Sequence, residues 1–383
     1  MPVGRAPLMR SSNQAYFEKL DHVRLFAATL VLLYHTWAAA GGQAPANWGE
    51  ELIHIGHTGV TLFLVLSGFL FTILTQGGAE PIDYRRFVLN RVLRIFPLLG
   101  VLFITALALA RRDATVGDAL SVILFSNLGS SPLFKFNNLL WTVAVECQFY
   151  LLFPFLIRFA HQRGPSYLIG LAVFWIVWRT LIAALFGAQF GDDNHYVYFT
   201  LLGRLDQFLI GMLLGLLHLR APQRFRSAWV LPACGALALT AFHIMAASGD
   251  LWRNDARFMW LGAAEAATWG ALLVAYFQSR LNFGPAVSRA FARLGQLSYS
   301  LYLMHIYVVQ AIDRTHNWVH FTDASGINAI LNGLIVVLPP ALLLSWFSYQ
   351  WIESPFLGMR RRYLPPPTPA LPAAPAPRRA SPG

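Results

Sequence analysis

Arg24 and His35 lie eleven residues apart inside one apolar run, Leu20–Trp37. Eleven residues of α-helix rise about 16 Å and turn through about 1,100°, about 20° past three full turns. The two side chains therefore share a face, with Arg24 near a membrane surface and His35 near mid-depth. A guanidinium binds anions, and an imidazole near neutrality moves a proton. The pair suits an extended molecule with a charged head and a reactive tip. Arg91 and Arg94 form a second pair, three residues apart and so neighbours on one helical face. They press into the apolar run just before Pro97, and two adjacent guanidinium forks suit phosphate. Arg85 and Arg86, just upstream, read as ordinary cytoplasmic anchors.

More ionisable residues sit within apolar segments, where they are costly and usually face a cavity or one another. They are Glu146, Arg179, Asp206, His243, Glu265 and His305. Counted from Gln296, His305 falls about 13 Å into its span, at the depth expected for His35. Glu146 reads as catalytic support or as a buried ion pair, with Arg179 the obvious partner. Arg204 and Asp206 read as interfacial anchors, and His243 as a structural contact.

The elements that position these residues are membrane helices. Of 383 residues, 56% are hydrophobic and 12% charged, against about 25% charged in soluble proteins. The fold class is all-α, a polytopic membrane protein with about ten transmembrane helices. The spans run near 20–40, 57–75, 95–111, 139–157, 167–187, 199–219, 228–246, 258–277, 296–312 and 328–352. Residues 119–127 are too short to cross and read as interfacial. Most of the 29 Lys and Arg fall in alternate loops, which predicts both termini in the cytoplasm. The formal charge of +11 follows from that bias, with no call for nucleic acid. Ala38-Ala39-Ala40 imitates a signal cleavage site, but the run before it exceeds the usual ~7–15 residues, so the segment is read as retained. Cys147 and Cys234 lie in apolar segments, away from any disulfide or zinc pattern. The chain divides into an N-terminal tail (1–19), a membrane domain (20–356) and a disordered basic Pro/Ala-rich tail (357–383), with no internal repeat and no appended soluble domain.

Together these segments resemble the acyltransferase-3 family of integral membrane acyltransferases. Arg24 and His35 match its arginine, ten residues, histidine signature. The stretch from Thr61 through Ser67-Gly68-Phe69 is similar to its second-span pattern, and Arg91 and Arg94 to its Arg-x-x-Arg pair. Leu140–Phe153 is similar to its Trp-Ser-Leu-x-x-Glu-x-x-Phe-Tyr segment. Ser298-Tyr299 through Tyr302 and His305, then Ile352-Glu353-Ser-Pro355, complete the series. His22, Leu98, Thr142 and Cys147 depart from the usual Gly, Tyr, Ser and second acidic residue.

The resemblance implies transfer of an acyl group, often acetyl from acetyl-CoA, to a hydroxyl of a carbohydrate, glycolipid or glycosylated small molecule. Arg91 and Arg94, helped by Arg24, would hold the phosphates of the acyl-CoA. The pantetheine arm would run along the first span to His35 as general base. Tyr302 or His305 would supply the oxyanion donor, and Glu146 would face the acceptor. No metal is called for. The expected location is the bacterial inner membrane, among membrane lipids, and a homo-oligomer is compatible with the sequence. The competing reading is a transporter or flippase of an anionic lipid or metabolite; the lack of a repeated half weighs against it.

Overall fold

A computed structural model describes residues 16–110, 112, 115–117, 139–190, 198–247 and 259–364. Over these the chain is helical, with no strand. The helices are α1 (Glu18–Ala39), α2 (Trp48–His54), α3 (Gly59–Leu74), α4 (Tyr84–Leu109), α5 (Leu140–Arg163) and α6 (Pro165–Phe190). After them come α7 (Leu201–Arg220), α8 (Val230–Ala247), α9 (Leu261–Gln278), α10 (Pro285–Gln296), α11 (Ser298–Arg314) and α12 (Ser325–Leu357).

Seven of the described helices, α3 to α8 and α12, are long and apolar enough to cross a bilayer. The protein is an integral membrane protein. Ten spans were expected. The other three, α1, α9 and α11, form as helices, but Arg24 and His35 interrupt the apolar character of α1, Glu265 that of α9, and α11 is short, with 17 residues, as well as interrupted by Tyr302 and His305. Those interruptions turn inward: Glu265 is 4% exposed and His305 fully buried. The expected interfacial segment, residues 119–127, lies outside the described residues.

The core is organised on α3, nearly all of whose side chains are buried. It is pressed backbone to backbone against α7. A Cβ at Gly211 would sit 2.1 Å from the Val65 carbonyl oxygen, and one at Gly68 would sit 2.3 Å from that of Phe208. Small residues permit such approach, which is how membrane helices pack where lipid supplies no hydrophobic drive. Aromatic rings fill the far side, with Phe149 of α5 stacked on Phe208 at 3.7 Å between centroids. Apolar side chains such as Ile104, Phe174, Val177 and Leu343 point outward, as a lipid-facing surface requires.

Two local features shape the site. Asp83 caps α4 by accepting from the Arg86 amide at 3.1 Å, which fixes where the helix bearing Arg91 and Arg94 begins. Near its end α12 widens into a π turn over Tyr349–Glu353, next to Pro355, which has no N–H to continue the α ladder.

The chain from residue 357 was expected to be disordered. Instead residues 357–364 pack onto the bundle, with Tyr363 and Leu364 each 3% exposed. Their apolar side chains find α4 and α5, a contact that the surrounding arginines and prolines hide in the sequence. Tyr16 and Tyr363 line one cavity. Residues 365–383 lie outside the described residues.

The α3–α7 contact makes a direct prediction. Gly211→Ala drives a methyl into the Val65 backbone and is expected to cost about 1–3 kcal/mol, the usual range for overpacking. Gly170→Ala, at an exposed position with open space around it, is expected to be neutral. Thermal unfolding of the two detergent-solubilised variants checks the difference.

Candidate active site

A cavity of about 260 Å³ opens among α1, α3, α4, α5, α11 and the segment after α12. On α3 its lining runs from Leu74 to Val60, fourteen residues and therefore about 21 Å along the helix axis. One end is basic, the middle is polar, and the inner end is closed.

Arg24, Arg91, Arg94 and Arg360 line the basic end. Arg24 pairs with Asp21 one turn away. Arg94 reaches the buried Glu353 at 3.6 Å and lies over the Tyr299 ring at 5.6 Å. Glu353 also accepts a hydrogen bond from Ser300, so the Ile352–Pro355 segment ties α12 to α11 and α4. Arg91 has no carboxylate partner among the described residues. Its guanidinium sits over three aromatic faces instead, Phe71 at 5.0 Å, Phe87 at 5.5 Å and Tyr150 at 5.7 Å. Desolvated contacts of this kind contribute up to about 2 kcal/mol each. They hold the cation without neutralising it.

Glu146 occupies the middle. It accepts from Ser67 Oγ at 3.1 Å and from the Tyr150 hydroxyl. The expected partner, Arg179, is elsewhere. Arg179 makes two hydrogen bonds to Asp206, at 3.0 and 3.2 Å, and bonds to the carbonyls of Gly203 and Met259. The rotation of α6 about its own axis decides this, and a single sequence does not reveal it. Arg204 and Asp206 are not interfacial anchors either, being 3% and 0% exposed. Arg204 stacks 3.7 Å above Tyr198 and 5.3 Å from Trp141. The buried Glu265 accepts from Thr61 Oγ1 at 2.7 Å, and His57 stands between Tyr34 and Tyr198. Sequence reasoning gave Arg204 and His57 no role at the site; the interruption of apolar runs by charge was their only signal. His243 pairs with Glu51 at 2.8 Å, away from the cavity.

The inner end is bounded by Val60, Phe63, Thr142, Val143 and Tyr302. The Tyr302 hydroxyl is buried beside Thr142 and makes no hydrogen bond of normal geometry. His305 lies next to Tyr302, 6.2 Å between ring centroids, and His35 next to His305 at 5.2 Å. The histidines do not line the cavity. Only the first turns of α1 do, so the expected path along α1 is replaced by one along α3, with Tyr302 standing between cavity and imidazoles.

The hydrogen bonds fix how the imidazoles are protonated. His305 Nδ1 is 2.9 Å from the Leu301 carbonyl. A carbonyl only accepts, so that nitrogen donates, and Nε2 of a neutral His305 is a lone pair. His35 Nδ1 is 2.9 Å from the Val31 carbonyl and 3.3 Å from His305 Nε2, so it donates to both. The neutral His35 then carries its basic lone pair on Nε2, oriented by a fully buried second imidazole. His305 has no proton left to give. Tyr302 is the remaining donor nearby.

A family profile described as an acyltransferase domain matches residues 17–349. The O-acetyltransferase OatA of Staphylococcus aureus strain NCTC 8325 / PS 47 is 26% identical over 383 residues, covering 91% of this chain and 58% of its own length. A protein of Staphylococcus aureus strain MRSA252 with the provisional name O-acetyltransferase SAR0937 is 23% identical over 397 residues, covering 91% and 60%. The chain thus spans about three fifths of the length of these curated relatives. No solved structure matches it.

The Arg179–Asp206 pair carries its own test. Arg179→Met leaves Asp206 buried and uncompensated and is expected to cost about 3–5 kcal/mol, whereas Arg179→Met with Asp206→Leu restores most of that loss. Folded yield and melting temperature of the single and double variants report it.

Proposed function

The chain belongs to the acyltransferase family that this profile describes, and on that premise we propose that it is a membrane O-acyltransferase using acyl-CoA, with acetyl-CoA the preferred donor and a carbohydrate hydroxyl as acceptor. The observation that carries the reading is the cavity itself. Guanidinium groups free to bind anion stand at its mouth, and an imidazole with a bare Nε2 lies beyond its closed end. The basic mouth faces the cytoplasm, where excess Arg belongs, and the membrane is the bacterial inner membrane.

Arg91 and Arg94, with Arg24 at the rim, hold the phosphates of the donor. The pantetheine arm lies against α3, with Glu146 accepting from its amide N–H. The thioester stops at Tyr302. Val60 and Val143, 5% and 3% exposed, close the end around a short acyl group. The acceptor enters from the opposite side, where His35 is partly exposed.

In the reaction, His35 Nε2 removes the proton of the acceptor hydroxyl as its oxygen bonds to the thioester carbon. The tetrahedral oxyanion takes a hydrogen bond from the Tyr302 hydroxyl. His305 Nε2 accepts from His35 Nδ1–H throughout and stabilises the imidazolium. Collapse breaks the C–S bond, and the proton on His35 Nε2 passes to the sulfur, giving ester and free thiol. A small movement of Tyr302 or Phe63 opens the cavity toward His35, so water is kept from the thioester until the acceptor is in place.

His35→Ala is expected to lower acyl transfer by about 10²–10⁴-fold, as loss of a general base does. Tyr302→Phe is expected to lower kcat by about 10²–10³-fold, as loss of an oxyanion donor does, with donor KM little changed. Transfer from labelled acetyl-CoA to a glycan acceptor by the purified variants measures both. A wild-type rate from His35→Ala contradicts the assignment.

A further inference from the structure

We propose that Arg360 is a third phosphate-binding side chain of the donor site, carried there by a clasp formed from residues 358–364. The inference rests on the donor reading above and goes beyond it, because Arg360 lies outside the stretch, 17–349, that matches the family profile.

The clasp is built on the first turns of α4, the helix that bears Arg91 and Arg94. Asn90, fully buried, donates through Nδ2 to the Arg361 carbonyl at 2.6 Å and accepts through Oδ1 from the Arg361 amide at 2.9 Å. The Asp83 amide donates to the Tyr363 carbonyl at 3.0 Å, and Tyr363 packs edge-on against Phe87 at 5.2 Å. These contacts leave Arg360 little freedom. Its Nε donates to the Leu357 carbonyl at 3.0 Å, which fixes the guanidinium plane while its fork lines the cavity.

Charge makes the case for a ligand. Arg24 is balanced by Asp21. Arg91, Arg94 and Arg360 share a single carboxylate, Glu353, which lies within ion-pair distance of Arg94 alone among the described residues. Glu146, the remaining carboxylate of the lining, is held by Ser67 and Tyr150, so one positive charge is left over in a partly desolvated space, an unfavourable arrangement until anions enter it. The crowding is felt at Arg360: burial, then Arg94 and Arg91, press its pKa down to about 10, which still leaves it charged at neutral pH. The surplus suits a molecule with several clustered phosphates. Coenzyme A meets that description, with a pyrophosphate and a ribose phosphate, and so does a patch of anionic lipid headgroups. The depth of the cavity, about 21 Å along α3, favours the former.

The test is calorimetric binding of coenzyme A and of 3′-dephospho-coenzyme A to the full chain purified in neutral detergent. Arg360→Ala is expected to weaken coenzyme A by about 10–100-fold, the worth of a charge-assisted contact, and to narrow its advantage over the dephospho form. Arg360→Lys is expected to fall between, since it keeps charge but loses the fork. Arg224→Ala, at an exposed arginine outside the cavity, is expected to bind as wild type. Melting temperatures unchanged by Arg360→Ala exclude a folding effect. A phosphatidylglycerol titration is expected to leave coenzyme A binding intact. If Arg360→Ala binds coenzyme A as wild type does while Arg91→Ala does not, the role of Arg360 is overturned and the donor reading stands. The role is equally overturned if Arg360→Ala alters only phosphatidylglycerol binding. If the wild-type chain binds no coenzyme A, the donor reading falls and takes this inference with it.

Discussion

Holding cations in an apolar bundle without cancelling them is the constraint on which the rest of the site depends. The structure answers it in two ways, and the contrast separates scaffold from site. Arg179 is balanced in charge: Asp206 and two backbone carbonyls accept from its two terminal nitrogens, and it is 2% exposed. Such an arginine joins α6, α7 and the start of α9, and has little left for a ligand. Arg91 is held by three ring faces. A quadrupole offsets part of the desolvation cost and leaves the full charge in place. A carboxylate in the same position would have competed with any phosphate.

The second constraint is separation. On the proposed reading, a thioester is brought to an imidazole inside a membrane without meeting water or being spent early. Close packing of α3 on α7 at Gly68 and Gly211 sets a rigid wall along which the cavity runs. Tyr302 ends that cavity with a buried hydroxyl. Beyond it the paired imidazoles are ordered by carbonyls one helical turn away, Val31 for His35 and Leu301 for His305. Neither histidine depends on a loop for its orientation, the condition under which a base is held in a fixed geometry.

Much of this was legible in the sequence, and the division follows physical lines. The structure brings Arg24, Arg91 and Arg94 to one cavity and His35 and His305 to hydrogen-bond distance, but the period of α1, which puts Arg24 and His35 on one face, does not bring both to the cavity: Arg24 lines it and His35 does not. The partners that residues meet across a helix interface were not legible. Glu146 and Arg179 share an apolar environment, but the rotation of their helices sends them to Tyr150 and Asp206. Arg360 was hidden for another reason. It opens a run of three arginines before a Pro-rich tail, the pattern of ordinary anchoring, and only Asn90 and the buried Tyr363 distinguish it. The path of the cavity along α3 instead of α1 depends on packing alone.

The most direct measurement of the central claim is a structure of the protein in a lipid nanodisc with a non-hydrolysable acetyl-CoA analogue, determined by cryo-electron microscopy. The account predicts phosphates among Arg91, Arg94 and Arg360, an arm along α3, and the acyl carbonyl within hydrogen-bonding reach of Tyr302. A bound analogue whose phosphates lie away from these arginines, or whose acyl group is walled off from Tyr302 and the paired histidines, would contradict it.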